Sequence, residues 1–242
     1  MLTILKKEIR SFLSSLIAYV VMIVFLIAIG LFMWVLPDYN VLDLGYANLD
    51  TLFDMAPWVF IFLISAITMR SFSEEKKTGT IEILTTKPIS DLQIILGKYF
   101  ASVVLVLFVL LPTLLYYYTI YQLGAPIGNL DSGAILGSYI GLFFLASAFA
   151  AIGIFSSAVS DNQIVSFILS MFLCYCFYNV FDLFADFKLL GSYDSIVASL
   201  GINSHYQSIS RGVIDSRDVL YFVSLILAFV WATKMVFGSR KW

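Results

Sequence analysis

The chain has 242 residues, of which 61% are hydrophobic and 12% are charged, and its formal net charge is −2. Soluble domains carry about 25% charged residues, so this composition, with a mean hydropathy of +0.95, excludes an ordinary soluble domain and gives no reason to expect a nucleic-acid partner. It indicates an integral membrane protein.

The chain begins with a helical pattern that is apolar on one side. Over residues 2–14 the other side carries three basic residues, Lys6, Lys7 and Arg10. A helix of this kind lies in the membrane surface with its lysines toward anionic headgroups, which makes the lipid bilayer a partner. The alternative interpretation is that the basic residues only orient the first membrane span.

Six later segments are apolar enough to cross a bilayer, which requires about 20 residues in a helix. The predicted spans are residues 15–36, 55–72, 91–122, 134–159, 163–182 and 218–237. An even number of spans places both termini on the same side of the membrane. Eleven of the 14 basic residues then fall on that side, so the positive-inside rule predicts cytoplasmic termini.

The polar segment between the second and third spans, residues 70–98, holds the densest charge of the chain. Gly79 and Pro88 divide it into parts. Thr80 is expected to cap a short helix over residues 81–87, which Pro88 ends because the residue before a proline avoids the α conformation. The apolar side chains of this short helix need a surface that buries them. Alternatively, they dip into the lipid headgroups.

A second local signal follows in the same segment. Ser90 and Gln93 have the spacing of a capping box, in which each side chain accepts from the backbone N–H of the other residue. Ile89 and Ile94 flank them as a hydrophobic staple does. The helix of the third span is therefore predicted to begin at Asp91, before the chain reaches the membrane.

The fourth span carries a glycine at every fourth position near its start, Gly133, Gly137 and Gly141. Small residues at this spacing let helix backbones approach closely. The pattern leaves two interpretations open, namely packing between helices of one chain or a contact between two copies of the chain.

The segment between the fifth and sixth spans, residues 183–217, has apolar patches separated by glycines. This pattern favours two or three short surface helices over a flexible loop. His205 in this segment is interpreted as a surface or packing residue. Just before the segment, Asn179 and Asp182 are the polar residues that we consider for contact with a transported molecule.

Several chemical signatures are missing from the sequence. It has no phosphate-binding loop, no Gly-x-Ser-x-Gly nucleophile motif and no set of metal ligands. No span carries an acidic or basic residue near its middle, as ion-coupled carriers do. The chain is therefore expected to be no enzyme and to hold no cofactor, and energy for transport would enter from outside through residues 70–98.

Several motifs resemble those of the ABC-2 type transporter permeases. They are RSFSEEKKTGTIEIL from Arg70 to Leu84, KPIS from Lys87, LGK ending at Lys98, and the approach to the sixth span from His205. The resemblance covers the whole chain and implies the type V exporter-like permease fold. That fold has an N-terminal interfacial helix, six transmembrane helices, a cytoplasmic coupling helix after the second span, and outer helices before the sixth.

The resemblance also implies partners. A separate ABC ATPase, which holds ATP and Mg, would bind as a dimer to two copies of the permease. Residues 73–90 would form the coupling segment in a groove of the ATPase, with the N-terminal helix against it, and spans two and five would line the pathway between the copies. The implied coupling residues are Glu74, Glu75, Gly79, Thr80, Ile81, Glu82, Leu84 and Pro88, with Ile81 and Leu84 as the buried contacts.

A narrower resemblance points to one branch of this family. Residues 36–54, 56–58 and 151–156 are similar to the gliding-motility-associated permease subunits of Bacteroidetes. That similarity implies a bacterial inner-membrane location and a further membrane subunit with a large periplasmic domain. The alternative function, from another class, is a membrane scaffold that anchors a surface machine and transports nothing.

Overall fold

The computed structural model describes residues 1–43, 45–86, 88–187 and 194–239, and no strand occurs among them. A 3₁₀ turn, Leu111–Thr113, contains Pro112, and a π-helical turn spans Cys176–Val180. In chain order the α-helices are α1 (Leu2–Leu13), α2 (Leu16–Trp34), α3 (Asp50–Thr68), α4 (Arg70–Lys77), α5 (Thr80–Thr85), α6 (Asp91–Leu110), α7 (Leu114–Leu123), α8 (Ser132–Val159), α9 (Gln163–Tyr175), α10 (Phe181–Asp186), α11 (Asp194–Ala198), α12 (Ile202–Ser210) and α13 (Ser216–Gly238).

Within the described residues, five helical stretches are long and apolar enough to cross a membrane, namely α3–α4, α6–α7, α8, α9–α10 and α13. A sixth is obtained when α1 and α2, which meet at 69°, are counted as one bent pair. The apolar part of this pair is α2, whereas α1 is amphipathic and exposes Lys6 and Arg10. The predicted all-α membrane fold is confirmed.

α8 is the centre of the bundle and its most deeply buried span, while α9 and α13 leave most of their length exposed. A Cβ atom added to Gly137 would lie 2.7 Å from Cα of Gly212, and one added to Gly141 would lie 2.9 Å from Cγ2 of Ile209. Both glycines therefore serve packing within the chain, where they admit α12 and the turn after it. Gly133, by contrast, is exposed.

The two ends of the bundle differ in composition. The charged end holds α1, α4, α5 and the first turns of α6, and the opposite end holds α11, α12 and the connection between α2 and α3. Of the predicted outer segment 183–217, residues 188–193 lie outside the described residues, as does Lys87 in the polar segment. The rest of the outer segment contains the short helices α11 and α12.

The turns of the polar segment differ in part from the prediction. The N-cap of α5 is Gly79, whose φ of 69° is left-handed, and the helix runs from Thr80 to Thr85. The prediction that Thr80 caps the helix is wrong, because the left-handed glycine turns the chain directly from α4 into α5 and makes Thr80 the first helical residue. The capping box at Ser90 is present as predicted.

Candidate functional site

The second span continues past the membrane as a charged helix. Together α3 and α4 form the 28-residue stretch Asp50–Lys77, which is about 42 Å long at the helical rise per residue. This length exceeds the roughly 30 Å hydrocarbon layer of a bilayer, so α4 extends beyond it. A left-handed turn at Gly79 then leads into α5, and α4 with α5 is called the arm below.

Four charged side chains from three helices form a closed ring beside the arm. Lys98 Nζ of α6 lies 2.9 Å from Glu8 Oε1 of α1 and 3.0 Å from Glu75 Oε2 of α4. Lys7 Nζ of α1 lies 2.7 Å from Glu75 Oε1 and 3.3 Å from Glu8 Oε1. Positive and negative groups thus alternate around this charged ring of Lys7, Glu8, Glu75 and Lys98.

Lys98 is the most deeply buried member of the charged ring, with a side chain only 1% exposed. Its ammonium also donates a hydrogen bond to the Ser71 carbonyl at 2.6 Å and lies 5.1 Å from the centre of the Phe72 ring. A buried ammonium is tolerated only when it is paired and hydrogen-bonded. The two carboxylates, the carbonyl and the aromatic face together meet that requirement.

The charged ring shifts the pKa values of two of its members. Burial alone would raise the pKa of Glu75, but the charge of Lys98 and the hydrogen bond from Lys7 more than offset burial, so this pKa lies below the ordinary value. Burial alone would lower the pKa of Lys7, but its hydrogen bond to Glu75 and the nearby charges of Glu8 and Glu75 raise it above the ordinary value. Both side chains are therefore charged at neutral pH.

The last turn of α8 holds the arm from a second side. Ser157 Oγ accepts hydrogen bonds from the backbone N–H of Phe72 at 2.9 Å and of Ser73 at 3.1 Å. Lys76 Nζ donates to the Ala158 carbonyl at 2.6 Å, which places a cation at the C-terminus of α8, where the helix dipole favours it. The arm is thus joined to α8 by both backbone and side-chain groups.

Arg70 and Glu74 pair on the exposed side of α4, one helical turn apart. Arg70 donates from Nε to Glu74 Oε2 at 2.8 Å and from Nη2 to Oε1 at 2.9 Å. These hydrogen bonds hold the pKa of Glu74 below its ordinary value. Because the pair is partly exposed, solvent screens it and its contribution to stability is small.

The short helix α5 divides its residues between the core of the chain and the surface. Ile81 is buried in an apolar cluster with Ile4 of α1 and Ile94 of α6, and Leu84 is half-buried against the same cluster. The chain itself therefore covers Ile81, which the sequence reasoning had left for a partner to bury. Four of the predicted coupling residues are exposed, and all four are polar or small, namely Gly79, Thr80, Glu82 and Pro88.

α1 presents different residues to the protein and to its surroundings. Ile4 packs against α6 at Gly97, where an added Cβ would lie 3.1 Å from the Ile4 side chain. All three basic residues are exposed, but Lys7 is held in the charged ring by Glu75, whereas Lys6 and Arg10 lie outside the ring. Of the three basic residues predicted to face headgroups, Lys6 and Arg10 are therefore the two that lie outside the charged ring.

The polar residues near the far end of the fifth span lie away from the charged ring. Asn179 Nδ2 donates to the Tyr175 hydroxyl at 3.2 Å. Asp182 Oδ2 accepts a hydrogen bond from Asn203 Nδ2 at 2.6 Å, so it links α10 to α12. Both side chains are half-buried.

His205 at the opposite end joins α12 to α13. Its Nδ1 lies 2.7 Å from Asp218 Oδ1, its Nε2 lies 2.9 Å from the Ser199 carbonyl, and its ring stacks on Tyr221 at 3.9 Å. A carbonyl oxygen only accepts, so Nε2 donates the hydrogen bond to Ser199. His205 is thus a packing residue that links α12 to α13 through Asp218 and Tyr221.

Sequence reasoning missed the charged ring and the contact of Ser157 with the arm. One signal was available, since Lys98 is the sole basic residue between Asp91 and Leu123. An isolated charge in an apolar run indicates that a partner exists, although not which one. Ser157 gave no signal, because serine is common along α8.

The comparison with protein families supports the resemblance that the sequence suggested. The model of the ABC-2 family transporter protein matches residues 35–200, a stretch that includes the arm and most of the spans. No curated protein matches the sequence. Because the match covers more than half of the chain and the fold is the helical membrane fold expected, the chain belongs to the ABC-2 family of transporter proteins.

Proposed function

We propose that this chain is the permease subunit of an ATP-driven export or force-transmitting complex, whose ATP and Mg are bound by a separate ABC ATPase. The observation that carries the proposal is the arm, which projects past the membrane and is fastened to three parts of the bundle. It continues from α3, it is held by α1 and α6 through the charged ring, and it is held by α8 through Ser157 and Lys76. A displacement of α5 would therefore reach spans two, three and four together.

The ATPase would contact the exposed side of the coupling segment. Thr80 and Glu82 are exposed on α5, and Glu74 is partly exposed on α4, so these residues are candidates for direct polar contacts. Glu75 and Ile81 face into the chain. We propose that these two residues transmit a displacement of α5 to α1 and α6.

A second copy of the chain would cover the membrane face formed by α3 and α9. Phe62 of α3 contacts Phe167 of α9, with ring centres 5.8 Å apart, so the two helices share one face. Large apolar side chains on it are exposed, including Phe62, Ile164, Ile168 and Phe172. A pathway between two copies would be lined by spans two and five, with Asn179 and Asp182 toward its far end.

The narrower resemblance supports a role in gliding motility. On this proposal the chain lies in the bacterial inner membrane with cytoplasmic termini, so the charged end faces the cytoplasm and its ATPase. A further membrane subunit would supply the periplasmic domain. The basic residues concentrated on one side of the predicted spans support this orientation.

The alternative function is a membrane scaffold that gathers the parts of a surface machine and moves nothing. The exposed apolar faces of α9 and α13 are equally compatible with a scaffold and with a transporter. The two functions differ in ATP coupling, because a scaffold would assemble with its partners without changing ATP hydrolysis.

The test is ATP hydrolysis by the complex reconstituted in lipid, with Glu82→Lys as the coupling variant and Asp43→Lys as its matched control. Both residues are exposed acids, and Asp43 lies at the opposite end of the bundle. We expect Glu82→Lys to reduce co-purification of the ATPase or its stimulation by the permease, while Asp43→Lys behaves as wild type. Wild-type hydrolysis in an assembled Glu82→Lys complex would show that this coupling surface is wrongly assigned.

A further inference from the structure

The helix that links the second span to the arm is interrupted at Met69 by a side chain from the fourth span. In an unbroken α-helix the N–H of Phe72 would bond the carbonyl of Thr68, four residues earlier. Here it donates to the Ser157 hydroxyl at 2.9 Å, and the N–H of Ser73 donates to the same oxygen at 3.1 Å. A side chain that enters the backbone hydrogen-bond ladder is a known cause of helix bending.

The hydroxyl of Ser157 compensates for the interruption that it makes. It donates its own hydrogen to the Met69 carbonyl at 3.0 Å, and the Ser73 hydroxyl donates to that carbonyl as well. Ser157, Phe72 and Ser73 are all shielded from solvent. Because buried backbone groups need partners, the interrupted helix depends on Ser157 for its hydrogen bonds.

The contacts on the two sides of the interruption differ in kind. On the side of the span, α3 and α8 touch at Gly153, where an added Cβ would lie 2.1 Å from Thr68 Oγ1, so neither helix has room to shift. On the side of the arm, α4 meets α8 through hydrogen bonds such as that of Lys76 with the Ala158 carbonyl, and through the apolar cluster that Phe72 shares with Ile154. A fixed contact followed by exchangeable hydrogen bonds is the arrangement that a hinge requires.

We propose that Ser157 is the positioning residue of a hinge at Met69, about which the arm changes its angle to the second span when the ATPase acts. This inference rests on the proposed coupling function and identifies the arm as the part of the chain that moves. With Ser157 inserted, the N–H of Phe72 donates to its hydroxyl; with Ser157 withdrawn, the same N–H bonds the Thr68 carbonyl of its own helix. The segment thus has two discrete hydrogen-bonding states between which a partner selects.

The variants that test the hinge are Ser157→Ala, which removes the hydroxyl, and Ser157→Thr, which keeps it. Ser156→Ala is the matched control, since Ser156 is equally buried in the same turn but donates to the Ile152 carbonyl of its own helix at 2.9 Å. Spin labels on cysteines introduced at exposed Lys77, at the end of α4, and at Asp43 report the angle of the arm. Both native cysteines are replaced by alanine for this measurement.

The first measurement uses the isolated permease in lipid nanodiscs, so it does not depend on the ATPase. We expect Ser157→Ala to change the distribution of label distances, because the helix closes when the hydroxyl is absent. Ser157→Thr and Ser156→Ala should keep the wild-type distribution. An unchanged distribution in Ser157→Ala would overturn the hinge.

The second measurement uses the complex with its ATPase. We expect ATP to shift the label distances in the wild type and in Ser157→Thr, but not in Ser157→Ala, whose kcat for ATP hydrolysis should fall about fivefold with an unchanged KM. An ATP-dependent shift that persists in Ser157→Ala would overturn the role of Ser157 in the hinge but would not contradict the proposed coupling function. A wild-type complex with neither a shift nor stimulated hydrolysis would overturn the proposed coupling function.

Discussion

Lys98 and Glu8 face each other at 2.9 Å although 90 residues separate them in the chain. Their ion pair fastens the first helix of the chain to the third span at a point where the ammonium is almost completely shielded from solvent. The position of α1 therefore depends on charge as well as on apolar packing.

Replacing Lys98 by methionine should destabilise the protein by about 2 to 4 kcal/mol. The change keeps most of the side-chain volume but leaves Glu8 and Glu75 with the half-exposed Lys7 as their one remaining cation in the charged ring, and loss of one partner of a buried ion pair is costly. Thermal unfolding in detergent measures the effect as a lowered Tm. Lys6→Met is the matched control, because Lys6 is exposed on α1, and equal Tm values for the two variants would contradict the structural importance of the charged ring.

The pKa shifts predict how the docking of α1 depends on pH. Glu75, whose pKa is lowered, contributes its stabilisation above the ordinary carboxyl pKa of about 4.3 and loses it as the pH falls through the lowered value. Lys7, whose pKa is raised, contributes below the ordinary lysine pKa of about 10.4 and loses its contribution only as the pH rises through the raised value. Docking should thus be constant between about pH 5 and pH 9.

The mobility of a nitroxide attached to a cysteine at exposed Ser14 measures this docking. We expect low mobility across the neutral range and a rise in acid, when Glu75 takes up a proton. In Glu75→Gln the mobility should be raised already at neutral pH, because Lys7 and Lys98 lose their shared carboxylate. A transition between pH 6 and pH 8 in the wild type would be inconsistent with the pKa shifts.

Substituting alanine for Gly153 should destabilise the bundle by about 1 to 3 kcal/mol, because the new methyl group has no space against Thr68. Gly133→Ala at the exposed start of the same helix should be neutral or slightly stabilising, since alanine is the better helix former. Thermal unfolding of the two variants gives the comparison. Similar Tm values would mean that α3 and α8 are not in contact at this point.

His205→Phe should destabilise the opposite end of the bundle by about 1 to 3 kcal/mol. Phenylalanine can still stack on Tyr221, but it leaves the buried Asp218 carboxyl and the Ser199 carbonyl without their hydrogen-bond partner. Limited proteolysis after α11 and thermal unfolding both report the change. The double variant with Asp218→Asn should recover part of the loss, and no recovery would argue that His205 acts through stacking alone.

Features that depend on a few neighbouring residues could be predicted from the sequence. The capping box at Ser90 is one, because both of its partners lie within one helical turn. The spans are another, since their apolar length alone is enough to identify them. The prediction of the α5 cap was wrong, although this feature is also local. Gly79 and Thr80 are both acceptable cap residues, and only the left-handed turn at Gly79 decides between them.

Features that depend on which helices meet could not be predicted. The glycine pattern of α8 indicated close packing, but the sequence does not show that Gly137 and Gly141 meet α12 while Gly133 meets no other helix. The same limit applies to Lys98 and Ser157, whose partners lie about 90 and 85 positions away in the chain. The coupling segment was recognised by its charge and turns, yet the groups that anchor it to the bundle come from elsewhere.

The order of synthesis gives the charged ring a consequence for assembly. Glu8 leaves the ribosome first, Glu75 follows with the second span, and Lys98 arrives last, since domains and helices form as the chain emerges. A buried lysine without a partner is costly, but the two carboxylates that surround Lys98 belong to helices made before it. We therefore expect the first turns of α6 to reach their final packing only after α1 and α4 have formed and brought Glu8 and Glu75 together.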